Sequence, residues 1–154
     1  MKITQAAEYG ILGALYLAKQ VEGRRVMIDE ICEVEKIPRS FLAKIFQSLS
    51  KAGLVKSRQG AGGGFQLTKK PAEITVLDVF EAIEGKMAFQ RCLEEVPDCL
   101  RVESCSLCAV FSEAQNKVAE VFARTTLHDL MHPPPTAPQK YSARKKKNTE
   151  PMAP

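Results

Sequence analysis

The sequence predicts a mainly α-helical fold that carries one small β-hairpin. Apolar residues recur at helical spacing through most of residues 1–132, and two short strand-like runs flank a glycine-rich loop. No apolar run reaches the roughly eighteen residues that a membrane span needs. At 154 residues, the chain is long enough for one domain with small additions. We therefore expect no membrane partner and, because no signal-peptide pattern is present, a cytoplasmic location.

The charge is unevenly distributed along the chain. Residues 133–154 are proline-rich and carry five basic residues against one acidic residue, which accounts for the whole net charge of +4. This composition predicts a disordered tail. No acidic residue occurs between Glu35 and Glu73, whereas eight lysines and arginines do. Solvent-exposed faces normally mix both signs, so this segment favours a polyanionic partner, and double-stranded DNA is the first candidate.

Three helices are predicted before the hairpin. The first is a capped scaffold helix that starts at Thr4, and Asp29 is the expected N-cap of a short second helix. Pro38 and Gly53 suit the first turn and the end of a third helix. Its apolar face comprises Phe41, Leu42, Ile45, Phe46 and Leu49. The opposite face has cations and hydrogen-bonding groups without an anion, as expected of a recognition helix: Arg39, Ser40, Ala43, Lys44 and Gln47.

A glycine-rich hairpin follows this helix. Residues 54–58 and 65–68 are strand-like and enclose four glycines. Glycine allows close backbone approach, so such a loop can lie along a phosphate backbone or enter a minor groove. We expect DNA contacts from its entrance, at Arg58, Gln59 and Gly60. Short helix, recognition helix and wing, in this order, predict a winged helix-turn-helix DNA-binding domain over residues 1–85.

Two further helices are predicted after the wing. Thr75 and Asp78 form a capping-box pattern at the start of a helix that ends at Gly85. Residues 106–132 carry an apolar stripe at near-heptad spacing, which predicts a long dimerisation helix. We expect this stripe to pair with a second copy of the chain and also to pack against Ile11 and Leu15 of its own chain.

Four of the five cysteines lie close together in the sequence, at Cys92, Cys99, Cys105 and Cys108. In a reducing compartment, clustered thiols favour a metal or redox role over a disulfide framework. The last two fall on the first turn of the long helix, where the helix dipole favours thiolates, and the loop 86–105 carries the others. Four thiolates suit an iron–sulfur cluster or tetrahedral zinc. Because only one pair has the short spacing usual in structural zinc sites, the long intervals favour a cluster that orders its own loop.

These pieces resemble the IscR-type family of winged helix-turn-helix transcriptional regulators, which has NsrR and CymR among its members. The resemblance runs through "AEYGILGALYLA", "GLVKSRQGAGGGFQL", "ITVLDVFEAIEG", the cysteine loop and "TTLHDL", and covers about residues 1–130. It implies a homodimeric repressor of the DNA-binding class whose operator affinity depends on an iron–sulfur cluster sensing redox state, nitric oxide or iron status. The three family ligands match Cys92, Cys99 and Cys105.

The chain differs from IscR at the fourth cluster ligand, which is a histidine in IscR. Cys108 stands there in this chain, which implies an all-cysteine site; [2Fe-2S] is favoured and [4Fe-4S] is the alternative. Some members recruit a carboxylate from the first helix of the other subunit. Glu8 matches the position of that carboxylate and is the reserve ligand after Cys108. Ser40, Ala43 and Lys44 match the base-contacting positions. Because Ala43 replaces IscR's glutamate, and Gln59 its wing arginine, the operator is expected to differ.

Other functions would use some of the same sequence features. A winged-helix regulator with a structural zinc or a thiol-only switch would also use the cysteines, whereas an iron–sulfur carrier would not need the acid-free segment. His128 and His132 have no convincing triad or metal partner in the sequence, so surface or packing roles are expected for them. We therefore expect neither enzymatic activity nor a small-molecule substrate.

Overall fold

A computed structural model describes residues 3–97, 99–101 and 104–132. The predicted disordered tail, residues 133–154, lies outside the described residues. No helix in the described ranges is long and apolar enough to cross a bilayer. The elements follow in the order α1 (Gln5–Ala18), α2 (Ile28–Glu35), α3 (Arg39–Lys51), β1 (Val55–Arg58), β2 (Gly64–Leu67), a 3₁₀ turn (Pro71–Glu73), α4 (Val76–Glu84), a second 3₁₀ turn (Arg91–Leu93), α5 (Ser106–Arg124) and α6 (Leu127–Met131).

Most helix ends lie where the capping residues predict them. The Thr4 hydroxyl accepts a hydrogen bond from the Ala7 N–H at 3.1 Å, and the capping box of Thr75 and Asp78 starts α4. The predicted N-cap of α2 is wrong. Met27 occupies that position without a side-chain hydrogen bond, and Asp29 lies in the first turn. The helix starts earlier because Ile28 is buried in the core, and this burial outweighs the capping preference.

Helix α1 forms the centre of the fold and packs against α3, α4 and α6. It approaches α3 closely at Gly13, where an added Cβ would lie 2.7 Å from the Phe46 ring. The core fills with Phe46, Leu42 and other fully buried side chains. On α3 the predicted apolar face is confirmed except at Phe41. That ring is 42% exposed and packs edge to face on Tyr9, with ring centroids 5.9 Å apart.

The wing is an antiparallel hairpin in which Val55 pairs with Leu67 and Arg58 with Gly64. It is joined to the segment before α2, because Val26 and Phe65 exchange backbone hydrogen bonds of 2.9 and 2.8 Å. Gly64 makes this junction possible. Its φ is +127°, and an added Cβ would lie 2.6 Å from the Val26 carbonyl oxygen. The wing is therefore anchored to the helical core at its base.

The predicted single helix over residues 106–132 is wrong, because α5 ends at Arg124 and a separate helix, α6, follows. Thr126 and Asp129 form a capping box that starts α6. Leu127 is fully buried in the winged-helix core, and its N–H donates to the Ile74 carbonyl at 2.9 Å. Helix α5 packs chiefly on α4 and the second 3₁₀ turn, so the expected packing against Ile11 and Leu15 of α1 is not its main contact within the chain.

Replacing Leu127 with alanine tests whether α6 belongs to the winged-helix core. We expect Leu127→Ala to lower the free energy of unfolding by about 3 kcal/mol, because a buried leucine leaves a cavity when truncated. Urea denaturation at one fixed protein concentration measures this loss. Leu100→Ala is the control, since Leu100 is fully exposed and its truncation should cost almost nothing. Equal stability of the two variants would contradict the assignment of α6 to the core.

Candidate nucleic-acid interface and cysteine site

One face of α3 is exposed and polar, as the sequence predicts. Helical spacing places Arg39, Ser40, Lys44 and Gln47 on this face, and all four are exposed. Ala43 differs from the expectation, because it is half-buried and packs against the core. Of the predicted recognition residues, four are therefore accessible to a DNA groove and Ala43 lies at the edge of that face.

The wing places its predicted contact residues beside the start of α3. Arg39, Arg58, Gln59 and Gly60 line a shared groove of about 330 Å³. The Gly63 N–H donates to the Gly60 carbonyl at 2.9 Å and closes the turn at the wing tip. The structure thus brings the wing residues and Arg39 together, while Lys44 and Gln47 lie further along α3.

An ion pair at this groove was missed by the sequence reasoning. The Arg39 Nε donates to Asp29 Oδ1 at 2.6 Å, and both side chains are exposed. Asp29 lies in α2, before the acid-free segment, so the sequence gives no sign that it pairs with Arg39. The pairing follows from the packing of α2 against α3. No ion pair is formed within the described residues by Lys44, Lys51 or Arg58. Positive side chains therefore dominate the surface formed by α3 and the wing, and Asp29 is the anion that faces Arg39.

The four clustered cysteines lie near the start of α5. Cys105 is the N-cap residue, Cys108 lies in the first turn, and the second 3₁₀ turn carries Cys92 and packs on α5. All are half-buried free thiols, and Cys99 lies between them in the chain. Burial and the neighbouring Cys108 thiol raise the pKa of Cys92 above its usual range. Cys92 and Cys108 are therefore neighbours in space although sixteen positions separate them in the sequence.

The four thiols do not form a complete metal site in the part of the chain that the structure describes. Within residues 3–97, 99–101 and 104–132, no three histidine, cysteine or carboxylate side chains converge closely enough to hold a metal ion. The chemistry of the donors fits an iron–sulfur cluster or zinc, because all four are free thiols, two of them at the start of α5 and a third on the 3₁₀ turn that packs on α5. A complete ligand geometry would have to form on binding. Glu8, the reserve ligand, is exposed on the first turn of α1.

Two other residues define the surroundings of this site. Gln115 was missed by the sequence reasoning and had no signal in the sequence; its Oε1 accepts the Phe89 N–H at 2.9 Å and ties the cysteine loop to α5. Cys32 lies apart in α2, where it packs against the core. Burial raises the pKa of the Cys32 thiol, which is consistent with a packing role.

Comparison with known proteins decides the class of this chain. The Rrf2 family model, described as an iron-dependent transcriptional regulator, matches residues 3–133. The chain belongs to the Rrf2 family. Rrf2 proteins are transcriptional regulators rather than enzymes, so the predicted class of function is confirmed at this level.

Several Rrf2 relatives match over nearly the same range. The Rrf2 protein of Nitratidesulfovibrio vulgaris is 35% identical over 131 residues, which cover 85% of this chain and 87% of the relative. IscR of T. potens superposes with a TM-score of 0.70 at 26% identity, covering 86% of this chain and 87% of its own. CymR, the global cysteine regulator of B. subtilis, gives 0.68 at 28% identity, with coverages of 86% and 97%. The winged-helix fold predicted from the sequence is confirmed.

Proposed function

We propose that this Rrf2 regulator binds an operator in double-stranded DNA as a homodimer and that an iron–sulfur cluster controls its affinity. Cys92, Cys99, Cys105 and Cys108 would hold the cluster, with [2Fe-2S] favoured over [4Fe-4S]. The observation that carries the proposal is the packing of the 3₁₀ turn that holds Cys92 on α5, whose start carries Cys105 and Cys108. The signal would be redox state, nitric oxide or iron status, because each of these destroys or withholds such a cluster.

The exposed side of α5 supports the homodimer. Leu107, Val110 and Val121 are 59%, 61% and 44% exposed, and α5 buries no residue in its own chain. Exposed apolar side chains that recur on one helix are the usual signature of a protein interface. A second copy offers the same stripe, so a two-fold pairing of α5 helices would cover both.

The position of the loop supports a link between cluster and DNA. Between Gly85 and Cys105, the described residues contain a single regular element, the 3₁₀ turn that carries Cys92. This loop joins α4 of the winged-helix domain to α5, and the Phe89 to Gln115 hydrogen bond already ties the loop to α5. Ligation of the four thiols would hold the loop against α5. A difference in α5 position between the two states is what could change operator affinity.

Elemental analysis of anaerobically purified protein tests the proposed cofactor. We expect iron and acid-labile sulfide in equal amounts, with zinc well below one atom per chain. The matched control is the same preparation after exposure to air and a chelator, which should lose both elements. Stoichiometric zinc without sulfide would contradict the cluster and favour a structural zinc, and an operator affinity that follows thiol oxidation without any metal would favour a thiol-only switch.

Replacing Asp29 with asparagine tests the DNA face. Arg39 would lose its partner, so we expect tighter binding to operator and unrelated duplexes and a salt slope steeper by about 0.9, the value for one additional phosphate contact. Affinities measured over a range of salt concentrations give this slope. Glu33→Gln on the same helix removes one charge that has no ion pair among the described residues, so it should change the slope less. Identical slopes in both variants would contradict the role of Arg39.

A further inference from the structure

We propose that a second cleft, at the base of the wing, binds a small phosphorylated metabolite that acts as a ligand rather than a substrate. The cleft has a volume of about 760 Å³. It lies between the carboxyl end of α1, the strand residues furthest from the wing tip, the first 3₁₀ turn and α6. Small-molecule sites in proteins have volumes of roughly 300–1,000 Å³. The cleft shares no lining residue with the groove at the wing tip, so it is a separate site.

Positive charge dominates the lining of this cleft. Lys56, Lys69 and Lys70 all line it, and none of them forms an ion pair within the part of the chain that the structure describes. Unpaired ammonium groups on one concave surface attract anions with more than one negative charge. Phosphate groups match this arrangement, because lysine binds phosphate as a compact point charge.

The acidic side chains of the cleft do not cancel this charge. Glu22 and Glu73 line it, so the three lysines exceed the carboxylates by one before Arg24 is considered. Arg24 also lines the cleft, although it is paired with Glu30 at 2.9 Å. The Glu73 carboxylate accepts a hydrogen bond of 3.1 Å from the backbone N–H of Lys70, and this bond holds the carboxylate against the first 3₁₀ turn. The surplus therefore favours an anionic ligand.

An unsatisfied polar group in the lining indicates a second property of the ligand. Gln66 pairs with Lys56 across the hairpin, which places the two side chains on the same face. Its Oε1 is buried and has no hydrogen-bond partner, alone among the side chains that the structure describes. A buried acceptor without a donor costs roughly 1–3 kcal/mol. A ligand O–H or N–H would supply the partner once the amide turns towards the cleft.

The elements around the cleft connect it to the DNA face. Lys56 and Gln66 lie two positions along their strands from Arg58 and Gly64 at the wing tip. On the other side, His128 belongs to α6, which follows α5 in the chain. A ligand that contacts both sides would favour one position of the wing relative to α6. Such a preference would couple the cleft to operator binding.

Calorimetric titration of the full chain with adenosine monophosphate and with inorganic pyrophosphate tests the proposal. We expect both probes to bind, and Lys69→Ala/Lys70→Ala to raise their dissociation constants roughly tenfold or more, as expected for the loss of charged hydrogen bonds. Lys44→Ala/Lys51→Ala is the matched control, because it removes the same charge from α3 and should leave both constants unchanged. Binding of neither probe below millimolar concentration, or equal weakening in both variants, would overturn the proposal.

Two further measurements separate the sources of phosphate and the role of Gln66. In the absence of probe, Lys69→Ala/Lys70→Ala should keep the salt slope of operator binding. A slope lower by about two would show that DNA phosphates occupy the cleft, which would overturn the assignment to a small molecule. Gln66→Leu should weaken adenosine monophosphate binding severalfold, because the ligand donor loses its acceptor. Unchanged affinity of that variant would overturn the requirement for a donor.

Discussion

Replacing Cys108 with alanine is expected to abolish the visible absorption of the anaerobically purified protein and to bring its iron and sulfide content close to zero. Cys108 lies beside Cys92, and its removal leaves three thiols for a group that needs four protein ligands. If ligation sets the position of α5, operator affinity should change by roughly 5- to 150-fold, the usual range of coupling between two sites. Absorption spectra and operator titrations of the same preparation measure both effects.

Two variants make this result specific. Cys32→Ala removes a half-buried thiol in α2, away from the start of α5, and should keep the absorption and the operator affinity. The second variant combines Cys108→Ala with Glu8→Ala. Absorption that survives Cys108→Ala but disappears in this double variant would assign the fourth ligand to the exposed carboxylate of α1 and overturn the all-cysteine site.

Replacing Val110 with glutamate is expected to convert the proposed homodimer into a monomer. Val110 is 61% exposed in the single chain, so the change should be tolerated there, whereas a carboxylate in an apolar interface has no partner. A monomer engages only one half-site, and operator affinity should fall by about a hundredfold or more. Light scattering gives the mass, and operator titration gives the affinity.

Val21→Glu provides the matched control for the interface. Val21 is 79% exposed and lies between α1 and α2, outside the stripe, so the same substitution should leave mass and operator affinity unchanged. A Val110→Glu variant that keeps the dimer mass would show that α5 is not the interface. Equal losses of affinity in both variants would instead indicate a general effect of the added negative charge.

The architecture was predictable because its signals are local. Capping residues such as Thr4 and Thr75 act within one turn of their helix, and apolar periodicity is also a local pattern. The structure confirms the helix starts that these residues predict. The break between α5 and α6 also had a signal. Thr126 and Asp129 repeat the capping-box pattern, but the apolar spacing on either side of it favoured one continuous helix. Asp29 failed as an N-cap because the burial of Ile28, a tertiary effect, decided the helix start.

The sites were predictable only as sets of residues. Spacing indicated that the four cysteines act together, but the proximity of Cys92 to Cys108 depends on how the loop folds back on α5. The pairing of Asp29 with Arg39 depends on the packing of α2 against α3. The cleft at the wing base assembles side chains from segments that are distant in the sequence, so neither its cations nor Gln66 could be recognised as one site.

The anchoring of α6 gives α5 the geometry of a lever. Leu127 fixes the carboxyl end of the lever in the winged-helix core, and the cysteines lie at the opposite end. At 1.5 Å per residue, nineteen helical residues span about 28 Å, so a tilt of about 10° at the pivot displaces the far end by about 5 Å. In the proposed dimer, a small angular change set at the cysteines would therefore alter how well the two recognition helices fit half-sites that lie one DNA turn apart.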